Sequence, residues 1–121
     1  MEEREEKIWL EKAKADLSTA KYNFDGKKFD AAGFFSQQSA EKALKAVFIK
    51  RFRKLIKVHD LVFIARKLNA SQELIDKCKE LSPAYLYTRY PDAIPVKNID
   101  SITENLIFYA EEILKWAEES I

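Results

Sequence analysis

The stretch KRFRKLIKVHDL, residues 50–61, contains the only histidine of the 121-residue chain, His59. Arg53 precedes it, with five residues between the two. An imidazole can accept a proton as a general base, and a guanidinium can hold two phosphate oxygens at once. Arg53 and His59 are therefore a candidate catalytic pair for phosphate chemistry. The alternative is that His59 merely ends a loop and that Arg53 is a surface charge at a helix end, where cations are favoured.

Other charged residues of this segment are candidates for binding phosphate. The chain has a net charge of only +1, which argues against a general nucleic-acid coat protein. A local basic patch on such a chain can still bind a nucleotide or a short RNA. The competing interpretation is a solvated helix face with no ligand. The candidates for nucleotide or phosphate binding in this segment are Lys50, Arg51, Lys57 and Asp60.

A second candidate site is the loop sequence YTRYPD, residues 87–92. Arg89 could contact a phosphate, and Tyr87 or Tyr90 could stack on a base. Asp92 could accept a hydrogen bond from a ribose hydroxyl. Alternatively, Tyr90 packs the loop onto the protein while Arg89 and Asp92 fix its turn. The sequence favours neither interpretation.

The composition also indicates which kinds of chemistry to set aside. With one histidine and one cysteine, Cys78, the sequence predicts no metal site, no cofactor and no intramolecular disulfide. It contains no glycine-rich phosphate loop. No apolar run is long enough to cross a membrane, and the charged start MEEREEK lacks the apolar core of a signal peptide. A lone cysteine suits a reducing compartment, so we expect a cytoplasmic protein without membrane contact.

The elements that must position these residues are predicted to be helices. Apolar residues recur three and four positions apart along the first helix, and Gly26 is expected to end it in the left-handed conformation. Asp30 is the expected N-cap of the second helix. Gln38, Glu41 and Lys42 are expected to form a polar face with a structural role. The first helix should bury Leu10, Ala13, Leu17, Ala20 and Phe24, and the second should bury the small-residue stripe Ala32, Ser36, Ala40, Ala43 and Val47.

Three further helices are predicted after the opening stretch. Asp60 and Ser71 are the expected N-caps of the third and fourth helices. Pro83 is expected to bend or end the fourth. The sequence SITE, residues 101–104, has the capping-box form and predicts the start of the last helix. The expected inner faces are Leu61, Ile64, Ala65 and Leu68 for the third helix, Leu74, Cys78, Leu81 and Tyr85 for the fourth, and Ile99, Ile102, Leu106, Tyr109, Ile113 and Trp116 for the last.

No segment alternates with a period of two for long enough to predict a strand. The prediction is one domain, residues 1–121, with an all-α fold: an antiparallel up-and-down bundle of four to five helices.

Three stretches of the chain resemble a known family. FDAAGFFSQQSAEKALKAVFIK, KVHDLV and YTRYPDA resemble, in order and spacing, blocks of the small prokaryotic or archaeal HEPN-domain proteins of the nucleotidyltransferase-associated type. The resemblance implies an all-α bundle that is often a homodimer. It also implies a minimal nucleotidyltransferase subunit as a possible partner, in a toxin–antitoxin or nucleotide-transferring module.

The resemblance leaves two functions open. One is a protein that homodimerises and binds the phosphate of a nucleotide or RNA as partner of a nucleotidyltransferase. The other is a metal-independent endoribonuclease toxin, because many HEPN proteins carry an arginine and a histidine with four to six residues between them, and the two copies of this pair meet across a dimer. Arg53 and His59 match that spacing, and they are the catalytic residues that the resemblance implies.

Overall fold

The computed structural model describes residues 4–87 and 98–121, with side chains described as far as residue 82 in the first range. Its helices are α1 (Glu5–Asp25), α2 (Phe29–Phe52), α3 (Leu61–Lys67), α4 (Gln72–Tyr87) and α5 (Ile99–Ser120). Neither described range contains a strand. The predicted all-α bundle is therefore confirmed. Within these ranges, no helix combines the length and the apolar character needed to span a membrane.

Helix α2 is central and packs against each of the other four helices. The predicted stripe of small residues explains why: Ala32, Ser36, Ala40, Ala43 and Val47 are all fully buried. Small side chains let the neighbouring backbones come close, and the hydroxyl of Ser39 donates a hydrogen bond of 2.7 Å to the carbonyl of Ala13 in α1.

Helix α1 buries the predicted stripe through Leu10, Ala13, Leu17 and Ala20, while Phe24 is half-buried. The prediction that Gly26 is the left-handed residue after α1 is wrong, because that residue is Lys27, one position later. Gly26 has a φ of −83°, and Lys27 is the left-handed residue with a φ of 61°. The N–H groups of Lys27 and Lys28 donate to the carbonyls of Phe24 and Asn23, which satisfies the free end of the helix.

Two of the four predicted caps are confirmed. The Asp60 carboxylate accepts a hydrogen bond from the N–H of Phe63 at 3.1 Å, and the Ser71 hydroxyl accepts from Leu74 at 3.2 Å. Asp30 is not the cap of α2, because that helix already starts at Phe29 and Lys28 is its N-cap. The carboxylate of Asp30 instead lies in the first turn, where the helix dipole favours an acid.

The start of α5 also differs from the prediction. It begins at Ile99, with Asn98 as a left-handed N-cap, so SITE lies inside the first turns rather than before them. Leu106 and Ile113 are buried as expected. The other expected residues, Ile99, Ile102, Tyr109 and Trp116, are half-buried, so the fully buried face is rotated by about one residue from the predicted one. The buried residues are Thr103, Leu106, Ile107, Ala110, Ile113, Leu114 and Ala117.

The inner faces of α3 and α4 are confirmed as far as their side chains are described. Helix α4 does not end at Pro83 but continues to Tyr87. The proline removes one N–H donor from the helix, and the turns on both sides are retained. Tyr85 lies outside the described side chains. The confirmed buried residues are Leu61, Ile64, Ala65, Leu68, Leu74, Cys78 and Leu81.

Candidate functional site

A buried carboxylate, Glu41, lies in the middle of α2 and gathers three polar partners. It is 5% exposed. Its Oε2 accepts from Lys45 Nζ at 3.0 Å and lies 2.8 Å from His59 Nδ1, and its Oε1 accepts from Gln37 Nε2 at 3.3 Å. Positions 37, 41 and 45 are each four apart, so they share one face of the helix. We call Gln37, Glu41, Lys45 and His59 the Glu41 cluster.

The cluster contains a balanced pair of buried charges. Lys45 is also 5% exposed, and its ammonium lies 5.8 Å from the centre of the Trp9 ring. Burying a charge is costly unless it is paired and hydrogen-bonded. The Glu41 carboxylate supplies the countercharge, and the ring of Trp9 adds a cation–π contact.

His59 presents one edge of its ring to this cluster and the other edge outward. Its side chain is 67% exposed although Glu41 beside it is buried. A ring that donates its Nδ1–H to the carboxylate leaves Nε2 available to accept a proton. If the ring is doubly protonated, Nε2 becomes a donor to an anion. No described residue is hydrogen-bonded to Nε2.

The ring of His59 lines a cleft of about 350 Å³ together with Gln37, Asp60, Leu61 and Ser82. Asp60 follows His59 directly and is held in place by its capping hydrogen bond to α3. The Ser82 hydroxyl is held by the carbonyl of Cys78 at 3.0 Å. The cleft thus combines a histidine, a carboxylate, an amide and a hydroxyl. This is the small set of polar groups expected of a small-molecule site.

Arg53 lies elsewhere within the same chain. It is the left-handed residue that ends α2, and its guanidinium lies 3.4 Å from the carboxylate of Glu6 in α1. Arg53 follows Glu41 by twelve residues, or about 18 Å along the axis of α2. Arg53 and His59 therefore contact different carboxylates at different levels of the bundle. Their assignment as a catalytic pair stays a prediction, which needs a second chain.

The other residues predicted to bind phosphate lie in different structural environments. Arg51 hydrogen-bonds the carbonyl of Leu68 and lies 5.9 Å from the ring of Trp116, so it holds the end of α3 against α5. Lys50 lies 3.9 Å from Glu6 beside Arg53. Lys57 is exposed close to His59 in sequence. The predictions for the side chain of Tyr87 and for Arg89, Tyr90 and Asp92 lie outside the part of the chain that the structure describes.

The residue that sequence reasoning missed is Glu41, with Gln37 and Lys45 beside it. We expected Gln38, Glu41 and Lys42 to form a polar face of structural role, and Lys42 does pair with Asp16 of α1. A signal was present: residues 41 and 45 are an acid and a base four apart, in a segment otherwise rich in alanine. All of residues 39–49 except Lys42 are buried, so this pair lies in the covered part of α2.

Cys78 lies fully buried in α4. Burial, and secondarily the charge of Asp60, raise the pKa of its thiol to about 12. A thiol that keeps its proton is neither a ready nucleophile nor a ready metal ligand. In the described ranges, no three histidine, cysteine or acidic side chains gather where they could hold a metal ion.

Comparison with known proteins defines the class. The model of the HEPN domain matches residues 6–120, so the chain belongs to the HEPN domain family. No curated protein matches the chain.

Three solved structures share the fold. TT1696 from Thermus thermophilus is 27% identical, with a TM-score of 0.87 over 99% of this chain and 100% of that one. ST0689, an archaeal HEPN homologue, is 25% identical, with a TM-score of 0.77 over 94% and 95%. A HEPN domain protein from Thermotoga maritima (tm0613) is 29% identical, with a TM-score of 0.74 over 93% and 95%.

Proposed function

We propose that this HEPN-domain protein forms a homodimer and binds the phosphate of a nucleotide or RNA in the cleft beside His59. We also propose that it acts as partner of a minimal nucleotidyltransferase in a toxin–antitoxin-like module. The observation that carries the phosphate-binding proposal is the His59 ring, which Glu41 holds at Nδ1 while Nε2 remains exposed. When the ring is doubly protonated, its exposed Nε2–H is a donor to a phosphate oxygen, and the contact with Glu41 fixes the ring in advance for this hydrogen bond.

The surroundings of the cleft carry charges of both signs, since Asp60 lines it and Lys57 lies nearby in sequence. The carboxylate of Glu41 is already balanced by Lys45, so it adds little net negative charge to the cleft. Lys57 lies two residues before His59 and is exposed. An exposed lysine can turn toward a phosphate at little cost, since its ammonium sits on a flexible stem.

The dimer and the protein partner are supported by two different arguments. Phe52 and Phe63 are 48% and 44% exposed on either side of the segment that carries His59. A dimer contact over this segment would cover both rings, as aromatic residues are enriched at interfaces. The nucleotidyltransferase partner rests on the resemblance to HEPN proteins of that type.

The test is light scattering on a sizing column, together with titration of ATP, GTP and a short RNA. We expect a dimer and saturable binding that weakens about tenfold in His59→Ala, because a hydrogen bond to a charged group is lost. The matched control is Lys115→Ala, an exposed residue on α5, which should bind as the wild type does. A strict monomer that binds none of the three ligands refutes the proposal.

A second candidate is a metal-independent endoribonuclease, and one observation favours it. A general base needs an orienting partner, and the contact of 2.8 Å between His59 and Glu41 supplies one. In this reaction Nε2 of His59 removes the proton of a ribose 2′-hydroxyl, whose oxygen then bonds to the adjacent phosphorus. The bond from phosphorus to the 5′-oxygen breaks, and that oxygen takes a proton from the second His59 of the dimer. The products are a 2′,3′-cyclic phosphate and a 5′-hydroxyl.

In this candidate, Arg53 would stabilise the charge on phosphorus and would have to come from the other chain of the dimer. A fluorescent RNA assay in EDTA decides between the candidates. The ribonuclease requires cleavage by the wild type and a loss of at least about a hundredfold in His59→Ala and Arg53→Ala. Equal activity in all three proteins means that a contaminant cleaves the RNA.

A further inference from the structure

Asp60 restricts what the cleft beside His59 can bind. It lines the cleft and follows His59 directly in the chain. A carboxylate repels the negative charge of a phosphate, and it accepts hydrogen bonds but donates none. A phosphate alone therefore gains nothing from Asp60. A ligand that also carries a hydrogen-bond donor does gain from it.

Only one oxygen of the Asp60 carboxylate is used within the described residues. Oδ1 accepts from the N–H of Phe63 at 3.1 Å and caps α3. In residues 4–82 and 98–121, no hydrogen bond or ion pair joins Oδ2 to another residue. Capping does not require the charge, since asparagine and serine cap helices as well as aspartate does. The cap thus holds the carboxylate in one orientation, and Oδ2 remains an acceptor.

Gln37 supplies a donor to the same cleft. It is 2% exposed and lines the cleft. Its Oε1 accepts from Gln38 Nε2 at 2.8 Å, and its Nε2 donates to Oε1 of Glu41 at 3.3 Å. An amide nitrogen has two N–H groups, and no described residue accepts from the second one. A buried N–H without a partner is costly, and an acceptor on a ligand would remove that cost.

The cleft thus presents an acceptor and a donor beside the histidine. A hydroxyl group satisfies both, because its O–H donates and its oxygen accepts. In a ribonucleotide, the 2′-hydroxyl is on the carbon next to the one that bears the 3′-phosphate. A phosphate held by His59 therefore brings this hydroxyl close to the neighbouring groups. The volume of about 350 Å³ is at the small end of the range for small-molecule sites, which suits one nucleotide unit.

We propose that Asp60 and Gln37 select ribonucleotides in the cleft beside His59 by binding the 2′-hydroxyl. The hydroxyl donates to Oδ2 of Asp60 and accepts from the second N–H of Gln37, while the adjacent phosphate contacts His59. This selection rests on the phosphate binding proposed above, and it names the residues that distinguish ribose from deoxyribose. The 2′-hydroxyl is the group by which a protein tells RNA from DNA at a given site.

The test is an NMR titration in which the ring protons of His59 are the reporter. His59 is the only histidine of the chain, so its ring signals report on this cleft. The probes are uridine 3′-monophosphate, its 2′-deoxy analogue and its 2′-O-methyl analogue. They share base and phosphate and contain no phosphodiester that a ribonuclease cleaves. We expect the wild type to bind the first about tenfold more tightly than the others, because the deoxy analogue lacks the hydroxyl and the methyl analogue cannot donate.

Asp60→Asn changes the free acceptor of Asp60 into a donor. Asparagine is an equally good N-cap, and its oxygen is needed by the N–H of Phe63, so its NH₂ group takes the place of Oδ2. We expect the preference for ribose to fall to about twofold or less, without weaker binding of the deoxy analogue. The matched control is Asp25→Asn, which removes an exposed charge from α1 and should keep the preference, because α1 contributes no residue to the cleft.

Gln37→Met tests the donor. Loss of its contact with the hydroxyl should weaken binding of uridine 3′-monophosphate about fivefold and leave the deoxy analogue unchanged. If Gln37 acts only by positioning Glu41 and through it His59, all three probes weaken equally. That result overturns its assignment as a ribose contact.

The remaining outcomes separate this selection from the proposed function. Equal binding of the three probes by the wild type overturns the selection and leaves phosphate binding at His59 in place. If only the deoxy analogue binds weakly, the hydroxyl does not donate and the role of Asp60 is overturned. A preference for ribose that persists in Asp60→Asn overturns it as well. If no probe shifts the His59 signals, the phosphate-binding function fails and the selection fails with it.

Discussion

Glu6 and Glu41 are nearly equally buried, at 3% and 5% exposed, but their partners differ. Glu41 is paired with a buried lysine and a histidine in the middle of α2. Glu6 is paired with two half-exposed cations at the end of the bundle. The first carboxylate balances a charge that water cannot reach, whereas the second orders charges that water can reach. The same degree of burial therefore gives one acid a stabilising role and the other a role in presenting cations.

The largest expected effect tests that difference directly. Glu41→Gln keeps the shape of the side chain but leaves the buried ammonium of Lys45 without a countercharge. Breaking a buried ion pair in this way costs about 3–5 kcal/mol. We expect a loss of this size in the free energy of unfolding, measured by urea denaturation.

The double variant Glu41→Gln with Lys45→Met provides the control. It also removes the unpaired ammonium of Lys45, so it should recover a large part of the lost stability. If Glu41→Gln alone unfolds with the wild-type midpoint, Lys45 is not buried as a paired cation.

A smaller effect concerns Cys78, which faces the core close to Asp60. The folded thiol keeps its proton up to about pH 12, whereas an ordinary thiol releases it near pH 9.0. Above pH 9 the unfolded chain therefore binds fewer protons than the folded one, and the free energy of unfolding falls as the pH rises. At pH 10 the loss is on the order of 1 kcal/mol.

Urea denaturation of the wild type and of Cys78→Ala between pH 8 and pH 10 measures this loss. The variant loses some packing at every pH, but the difference between the two proteins should shrink as the pH rises. Parallel curves would contradict a raised pKa for the thiol.

The smallest expected loss in the free energy of unfolding is that of Glu6→Gln. Glu6→Gln should cost about 1 kcal/mol or less, because water can solvate Lys50 and Arg53 once the carboxylate has lost its charge. Salt sharpens the contrast with Glu41, since exposed charges are screened and buried pairs are screened much less. In 1 M NaCl the cost of Glu6→Gln should approach zero and that of Glu41→Gln should persist. If salt reduces the stability losses of Glu6→Gln and Glu41→Gln equally, the proposed difference between the two carboxylates is contradicted.

The helices were predictable because they follow from spacing and from local capping. The stripes of α1 and α2 and the caps Asp60 and Ser71 depend only on neighbours in sequence. The end of α1 and the start of α5 were displaced, since Lys27 and Asn98 take left-handed conformations that local preference assigns to glycine. Asparagine adopts this conformation more readily than most residues, whereas for lysine it is uncommon.

The candidate site was only half predictable. His59 and Asp60 were found from residue type, and their neighbours Gln37 and Glu41 were not. The contact between His59 and Glu41 spans 18 positions of the chain, and it depends on how the segment after α2 runs back along that helix. The path of this segment also explains why Arg53 and His59 are separated. Spacing in sequence placed these two residues close together, and the fold places them at different levels.

The central position of α2 also has a consequence for the order of folding. Helices α1 and α2 are joined by residues 26–28, so their contacts close a short loop, whereas the ion pair of Lys21 with Glu111 joins residues 90 positions apart. Loop closure costs more entropy as the loop lengthens. We expect the α1–α2 hairpin to form first and α5 to dock last. Ala13→Gly should then slow refolding, whereas Ile113→Val should mainly speed unfolding in stopped-flow experiments.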